Sequence, residues 1–401
     1  MFRKISLLLL LLTISFSIAI AQDKKKAEKL NSLLSNANKL ELFNGNVLVV
    51  DHHQTIYSSS FGATDASGKT KLSSAYLFNI GSIAKEFNAV AIMMLKEQGK
   101  LQLEDQVSKY LPDLPSWANQ IKIINLLQYT SGIPDSKWRE TKGDEDNMQK
   151  LKLIEKLDFE PGTNYAYNNN NTFLQRQIVQ QITGISFNQY VIEKLLKPIG
   201  ITNAIVDPNE NDKLIARSYN NQKVQDELTP PISGWTNLNI NDFYTWSNAI
   251  NSFKLISPES TKQLTIPFSA GKQTGLGSGI VENNQLVSHV HDGTARNYQA
   301  LLISEAGKGR TIILQTNNQQ NNLYPISRSI QAILDGNPYA EIKKSLLKTF
   351  ATEIEQMDAA QLLTFYKQKK GRTLILIVLI AKTCSMRLDM PLCDRKNWKM
   401  P

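Results

Sequence analysis

Strand-like patterns lie at the two ends of the body of this 401-residue chain, with a long helical pattern between them. Short apolar runs bounded by polar turns predict buried strands. The turn at Asp51-His52-His53 is tight enough to join the first two strands as a hairpin. The predicted strands are Gly45–Asp51, Gln54–Ser58, Tyr298–Ser304 and Gly309–Gln315.

Helical periodicity fills the rest of the body. An amphipathic pattern over 24–43 and another over 325–334 predict helices that flank the strands in sequence. Because the strands come from both ends, we expect them to pair in one antiparallel sheet. The predicted fold is therefore α+β, an α/β sandwich over residues 22–340 with a largely helical insertion at about 82–230.

The first 21 residues have the pattern of a secretory signal peptide. Arg3 and Lys4 precede an apolar run, and Ala19-Ile20-Ala21 resembles a cleavage site. The run is short for a membrane span, which needs about 20 apolar residues. We therefore expect a secreted or periplasmic protein without a stable membrane anchor.

The C-terminal 341–401 segment predicts a helical extension that could dock a protein partner. Its character changes at Gly371, where an apolar run and an aperiodic stretch holding both cysteines, Cys384 and Cys393, begin. We hypothesise that 371–401 is translated out of frame, because a one-base shift can yield a helical Leu/Ala pattern. Resequencing the gene tests this, and an intact frame through Pro401 contradicts it.

Most of the net positive charge lies at the two ends of the chain. The net charge is +9, of which residues 1–21 carry +2 and residues 341–401 carry +6, leaving +1 for the body. A nucleic-acid interface needs a basic face. We therefore expect no nucleic-acid partner.

The first chemical motif is Gly81-Ser82-Ile83-Ala84-Lys85, at the start of an apolar helical run. Side chains at i and i+3 of a helix share a face, so the lysine can reach the hydroxyl and take its proton. The same spacing occurs at Ser269–Lys272 and Ser345–Lys348, so the spacing alone has low specificity.

Two further motifs supply context. Tyr167-Asn168-Asn169 offers a phenol for proton relay and an amide for a substrate carbonyl. His291-Asp292-Gly293 precedes a strand, where the glycine allows a close backbone approach and the histidine could bind a carboxylate or transfer a proton.

These motifs, in this order, resemble the serine β-lactamase-related family, which includes class C β-lactamases, D-alanyl-D-alanine carboxypeptidases and esterases. Leu126-Leu-Gln-Tyr-Thr-Ser-Gly132 and the Tyr-x-Asn region fit the same pattern, and the resemblance runs from about Phe43 to Asn318. It implies a β-lactamase/transpeptidase-like fold and acyl transfer without a metal or organic cofactor.

The resemblance also implies roles for single residues. Ser82 matches the acylated nucleophile, Lys85 its proton acceptor and Tyr167 the relay to the leaving group and the deacylating water. The substrate-binding positions are Asn169, His291 and Gly293. The backbone N–H groups of Ser82 and Thr294 match the oxyanion hole.

Three positions depart from the family pattern. His291 stands where class C enzymes carry the lysine of Lys-Thr-Gly, Tyr129 replaces a histidine, and Gly234-Trp235 replaces a Gly-Gly-Leu-like segment. β-Lactamase action is therefore a family label more than a predicted activity. Two alternatives stay open: a zinc site at His289 and His291, and a non-catalytic, penicillin-binding-like sensor module.

Overall fold

The computed structural model describes residues 22–136, 140–228, 231–318 and 322–344, together with 357, 358, 361, 364 and 365. The chain divides into two units, Met1–Ile342 and Lys343–Pro401, and every element described below belongs to the first. The predicted signal peptide at 1–21 and the segment 371–401 lie outside the described residues.

One six-stranded antiparallel sheet forms the frame, in the order β2-β1-β9-β8-β7-β6. Both ends of the body contribute strands, which confirms the predicted antiparallel sheet. His52 and His53 have positive φ and form the predicted hairpin turn. The strands are β1 Gly45–Asp51, β2 Gln54–Phe61, β6 Ser278–Glu282, β7 Gln285–Ala295, β8 Tyr298–Glu305 and β9 Arg310–Thr316.

The remaining elements are helices and a small three-stranded sheet in the order β3-β5-β4. The helices are α1 (22–39), α2 Lys85–Glu97, α3 Ile123–Leu127, α4 Asp144–Lys152, α5 Asn169–Thr183, α6 Phe187–Tyr190, α7 Ile240–Asn251, α8 Pro258–Thr265 and α9 Tyr324–Leu334. The small sheet consists of β3 Phe78–Asn79, β4 Ile205–Val206 and β5 Thr236–Leu238. The segment predicted as a helical insertion, about 82–230, contains helices α2 to α6 and also the short strand β4, whereas β3 precedes it and β5 follows it.

Both faces of the large sheet are covered, which explains why β1 and β9 are buried along their whole length. Successive side chains point to opposite faces. Val47 and Val49 therefore join a core with α1 and α9, whereas Leu48 and Val50 join a larger core with α2. Helix α2 is packed between this sheet and α5, so it is buried on almost every side.

A buried ion pair joins the ends of the body. Asp51, at the end of β1, accepts hydrogen bonds from Arg310 Nε at 2.8 Å and Lys26 Nζ at 3.2 Å. Burial alone raises the pKa of Asp51, but the two cations outweigh it and lower that pKa. These contacts connect α1 and β1, near the start of the body, to β9 near its end.

The predicted helix starting at Glu341 is not present at its first residues. Residues 341–344 have no regular secondary structure, and Ile342 packs into the core beside α1 and α9. Residues 361, 364 and 365 are helical, and most of the predicted extension lies outside the described residues. Across the part of the chain that the structure describes, we find no helix with the length and apolarity of a membrane span.

Candidate active site

Ser82 and Lys85 meet where the chain enters α2. Ser82 lies in a short 3-10 turn, Gly81–Ala84, that runs directly into the helix. Lys85 Nζ donates a hydrogen bond to Ser82 Oγ at 2.9 Å. The serine is partly exposed and the lysine is 8% exposed, so a hydroxyl in contact with solvent is paired with a largely buried amine.

Two aromatic rings enclose the Lys85 amine. Nζ lies 5.3 Å from the ring centre of Tyr167 and 5.7 Å from that of Trp235. Aromatic faces attract a cation and exclude water around it. Lys85 and Trp235 also line a cleft beside Ser82, together with Asn169. The structure therefore brings together five residues that the first two motifs and the Gly-Trp departure singled out: Ser82, Lys85, Tyr167, Asn169 and Trp235.

Tyr129, which stands in place of the family's histidine, holds Tyr167 in position. The two rings pack with centres 4.6 Å apart, and Tyr129 O accepts a hydrogen bond from Ala166 N at 2.9 Å. Burial, together with the neighbouring Tyr167 and Tyr165, raises the pKa of Tyr129 well above its usual value. Its phenol therefore stays neutral and serves as a packing surface for Tyr167.

The start of α5 places Asn169 in the cleft. Asn168 caps the helix by accepting from Asn171 N at 3.3 Å, and its amide donates to Ile133 O at 2.7 Å. Asn169 is the first residue of the helix and is partly exposed. Of the two adjacent asparagines, one is thus structural and the other is available to a ligand.

The free edge of β7 lies against the Ser82 turn. Strand β6 pairs only with Gln285–Val290, so the second half of β7 has no strand on that side. A Cβ atom added to Gly293 would lie 2.0 Å from Ile80 O and 2.7 Å from Ser82 N. Only glycine permits this approach of one backbone to the other.

The Thr294 N–H points out from this edge. Ala295 and Tyr298 close a two-residue hairpin, and in such a hairpin the closing pair exchanges hydrogen bonds. Because bonded and non-bonded pairs alternate, the N–H of Thr294 points away from β8. Gly81, with φ of +58°, lies so close that a Cβ there would be 2.4 Å from Thr294 N. The Ser82 and Thr294 amides are thus neighbours.

His291 is buried, unlike the substrate-facing residue expected from sequence. It is 3% exposed, and its Nδ1 lies 2.7 Å from Oε1 of Glu86. The same oxygen lies 2.7 Å from His289 Nε2, and Trp246 Nε1 donates to the other carboxylate oxygen at 2.7 Å. The Nδ1 side of the His291 ring therefore forms its contact inside the protein and not with the cleft.

Glu86, His289 and His291 could in principle surround a cation. Tetrahedral zinc with ligands at about 2.1 Å would hold them about 3.4 Å apart. The observed separations of 2.7 Å are those of charge-assisted hydrogen bonds instead.

Glu86 is the residue that the sequence analysis missed. Glu86 follows Lys85 directly and precedes the apolar run Phe87–Leu95, which is buried on nearly all sides. A carboxylate in such a helix needs buried donors. The chain has only four histidines, two of them spaced i and i+2 on one strand, and this pattern could have indicated the partners.

Comparison with known proteins agrees with this geometry. The sequence model of the family described as Beta-lactamase matches residues 37–334. Penicillin-binding protein 4* of Bacillus subtilis (strain 168) is 26% identical, over 82% of this chain and 81% of its own. The octameric penicillin-binding protein homologue from Pyrococcus abyssi has a TM-score of 0.67 at 21% identity, covering 79% of each chain. A β-lactamase/D-alanine carboxypeptidase from Pseudomonas syringae has a TM-score of 0.63 at 16% identity, covering 80% of this chain and 99% of its own.

Replacing Gly293 should separate the two backbones at the site. We expect Gly293→Ala to slow labelling of Ser82 by a fluorophosphonate probe by roughly 10²-fold, the scale of losing one oxyanion donor. The added methyl group would otherwise overlap Ile80 O. Circular dichroism of the same samples reports whether the fold is retained.

Gly307→Ala is the matched control, because a Cβ at Gly307 meets no atom within 4 Å. It should label at the wild-type rate. Unchanged labelling of Gly293→Ala would contradict a role for this close approach.

Proposed function

Because this chain belongs to the beta-lactamase family, we propose that it is a serine hydrolase that cleaves an ester or amide bond through an acyl-Ser82 intermediate. The observation that carries the proposal is the 2.9 Å contact between Lys85 Nζ and Ser82 Oγ at the edge of an open cleft. A hydroxyl is a weak nucleophile until an adjacent base takes its proton.

In the acylation step, Ser82 Oγ attacks the substrate carbonyl while its proton passes to Lys85 Nζ. The carbonyl oxygen becomes negative, and the amides of Ser82 and Thr294 are placed to donate to it. Such donors are typically worth about 3 kcal/mol each in the transition state. The carbon–oxygen or carbon–nitrogen bond then breaks, and the leaving group departs with a proton.

Tyr167 and Asn169 serve the two ends of the substrate. The Tyr167 ring lies next to Lys85 and is 37% exposed, so its hydroxyl can relay a proton to the leaving group and later from the hydrolytic water. The Asn169 side chain can bind the carbonyl of the acyl portion. Water then attacks the acyl-Ser82 ester, releases the acid and restores the serine.

The substrate class is an ester or amide of a small molecule or peptide. Two of the similar proteins carry names that refer to penicillin binding, and one refers to D-alanine carboxypeptidase activity. Trp235 stands beside Lys85 and narrows the cleft where the family pattern has a smaller residue. This favours small or extended acyl groups over bulky bicyclic ones, so peptides and esters rank before β-lactams.

Secretion is part of the same proposal. It rests on the basic, apolar and Ala-x-Ala pattern of residues 1–21. The mature protein should begin at Gln22, which N-terminal mass spectrometry of protein exported by its host can read. A retained Met1 would contradict it.

Removing the nucleophile gives the primary test. Ser82→Ala should abolish both p-nitrophenyl acetate turnover and covalent labelling by fluorescent penicillin or a fluorophosphonate, because it removes the hydroxyl that is proposed to form the covalent bond. Intact-mass spectrometry of the labelled protein checks the stoichiometry and the site.

Ser269→Ala is the matched control, since Ser269 heads the second Ser-x-x-Lys of the chain but lies in a loop and not at the start of a helix. It should keep wild-type activity. Labelling that persists in Ser82→Ala would remove the nucleophile assignment. A wild-type protein that binds but never becomes acylated would favour the sensor-module alternative.

The role of Tyr167 predicts a specific kinetic change. In Tyr167→Phe the relay is lost while the ring stays, so we expect turnover of p-nitrophenyl acetate to fall by about 10²-fold or more. Rapid-quench mass spectrometry then measures the acylation and deacylation steps separately.

Tyr165→Phe is the control, because Tyr165 also packs on Tyr129, with ring centres 6.1 Å apart. Burial and the neighbouring Tyr167 raise the pKa of Tyr165 to about 12, so its phenol stays neutral and should not transfer protons. Equal losses in both variants would mean that the site needs only the aromatic packing.

A further inference from the structure

Glu86 is a buried charge that the proposed mechanism does not yet use. Its carboxylate is inaccessible to solvent and accepts three hydrogen bonds of 2.7 Å, from His289, His291 and Trp246. It follows the proposed base Lys85 directly on α2, and His291 belongs to the third motif. The network therefore links the helix of the nucleophile to the strand that borders it.

The carboxylate determines which ring nitrogens carry protons. Burial alone raises the pKa of Glu86, but the two imidazoles outweigh that effect and hold the pKa well below its usual range. An ionised carboxylate can only accept hydrogen bonds. His289 must therefore donate through Nε2, and His291 must donate through Nδ1.

The two histidines differ in what their second nitrogen meets. His289 Nδ1 is buried and has no hydrogen-bond partner, so a proton there would be an unsatisfied buried charge. His291 Nε2 lies across the ring from Glu86, and among the described residues it has no hydrogen-bond partner either. Unlike His289 Nδ1, the Nε2 atom of His291 is not fully buried. It is therefore the ring nitrogen of His291 that remains available to a further partner.

The position of His291 supports a role at the cleft. On β7 it lies two residues before Gly293, on the same face of the strand. Asp292 points to the opposite face, where its carboxylate accepts from Tyr324 of α9 at 3.0 Å. The neighbours of the pair that can titrate are Lys85 on α2, His289 on β7, and Tyr129, whose pKa Glu86 helps to raise.

We propose that Glu86 is a positioning residue that orients His291 and fixes its Nδ1–H tautomer, so that Nε2 faces the cleft as a proton acceptor. When Nε2 takes a proton, Glu86 supplies the counter-charge. A carboxylate–imidazole pair would then stand where class C enzymes carry the lysine of Lys-Thr-Gly, and it would exchange a proton with Tyr167 or with the substrate. This inference rests on the proposed acyl transfer at Ser82.

The Glu86–His291 pair should give this site a different substrate preference from that of a permanently charged lysine. With a neutral His291, Nε2 accepts from a hydroxyl or amide of the substrate, and an anionic substrate requires the protonated ring. We therefore expect neutral esters and amides to be preferred over anionic analogues of the same acyl group.

The first test determines the tautomer in the intact protein. Nitrogen-15 NMR of wild-type protein labelled at histidine distinguishes Nδ1–H from Nε2–H rings, and loss of signals in His289→Gln and His291→Gln assigns them. We expect His291 as the Nδ1–H form at alkaline pH. An Nε2–H ring, or one equivalent of zinc in the purified protein, would overturn the proposal. This measurement does not depend on turnover.

The second test uses Glu86→Gln with p-nitrophenyl acetate as the probe. We expect kcat/KM to fall by at least about tenfold and one limb of its pH profile to move. Trp246→Phe removes the donor to the other carboxylate oxygen and part of a buried ring, so it controls for lost packing around Glu86. It should leave the pH profile in place. A Glu86→Gln profile that superimposes on the wild type would overturn the proposal.

Failure of this inference can be separated from failure of the proposed function. A wild-type protein in which Ser82 is not acylated contradicts the acyl-transfer function, whatever the histidine tautomers are. A wild-type protein that is acylated but has the wrong tautomer contradicts the role of Glu86 alone. If Glu86→Gln does not fold, the NMR result on the wild type decides.

Discussion

The close approach of two backbone segments is the constraint on which the site depends. The turn before α2 and the free edge of β7 are separated by about 210 residues of sequence, yet they touch with no side chain between them at Gly81 and Gly293. The contact needs a β7 that extends beyond its partner β6, because a paired edge would leave no room. It also needs an α2 fixed between the sheet and α5. The layered fold therefore sets the distance between Ser82 and the strand that would stabilise its transition state.

Three buried charged groups each have charged or polar partners, but the partners differ in whether they can change their protonation state. Asp51 is paired with Arg310 and Lys26, and Arg176 is paired with Asp144 and donates a hydrogen bond to Ser233. Glu86 is matched by two imidazoles instead. An imidazole can change its protonation state near neutral pH, whereas a guanidinium cannot. The first two groups therefore fix structure, and only the third can also take part in proton transfer.

Sequence patterns predicted what depends on local periodicity and on motif order. Strand Gly45–Asp51, the hairpin at His52 and His53, and the Ser82–Lys85 contact all follow from spacing within a few residues. The burial of His291 could not be predicted in this way, because its partner Glu86 lies about 200 residues earlier. The strands Phe78–Asn79 and Thr236–Leu238 were missed for a related reason, since two or three residues hold no period. Long-range pairing decides such positions, and a single sequence does not record it.

The three departures from the family pattern form one connected arrangement around Lys85. Tyr129 supports Tyr167, Tyr167 and Trp235 enclose the amine, and His291 exchanges a surface cation for an internal pair with Glu86. Tyr129 and Trp235 place aromatic rings where the family pattern has a histidine and a smaller residue. His291, paired with Glu86, stands where that pattern has a lysine. A lysine at position 291 would place a fixed cation in the site. His291, paired with Glu86, adds no such fixed charge, and the rings of Tyr167 and Trp235 enclose the Lys85 amine. The histidine in the third motif thus accompanies the aromatic substitutions, and the three departures are best understood as a single solution to placing the proposed base in a narrow cleft.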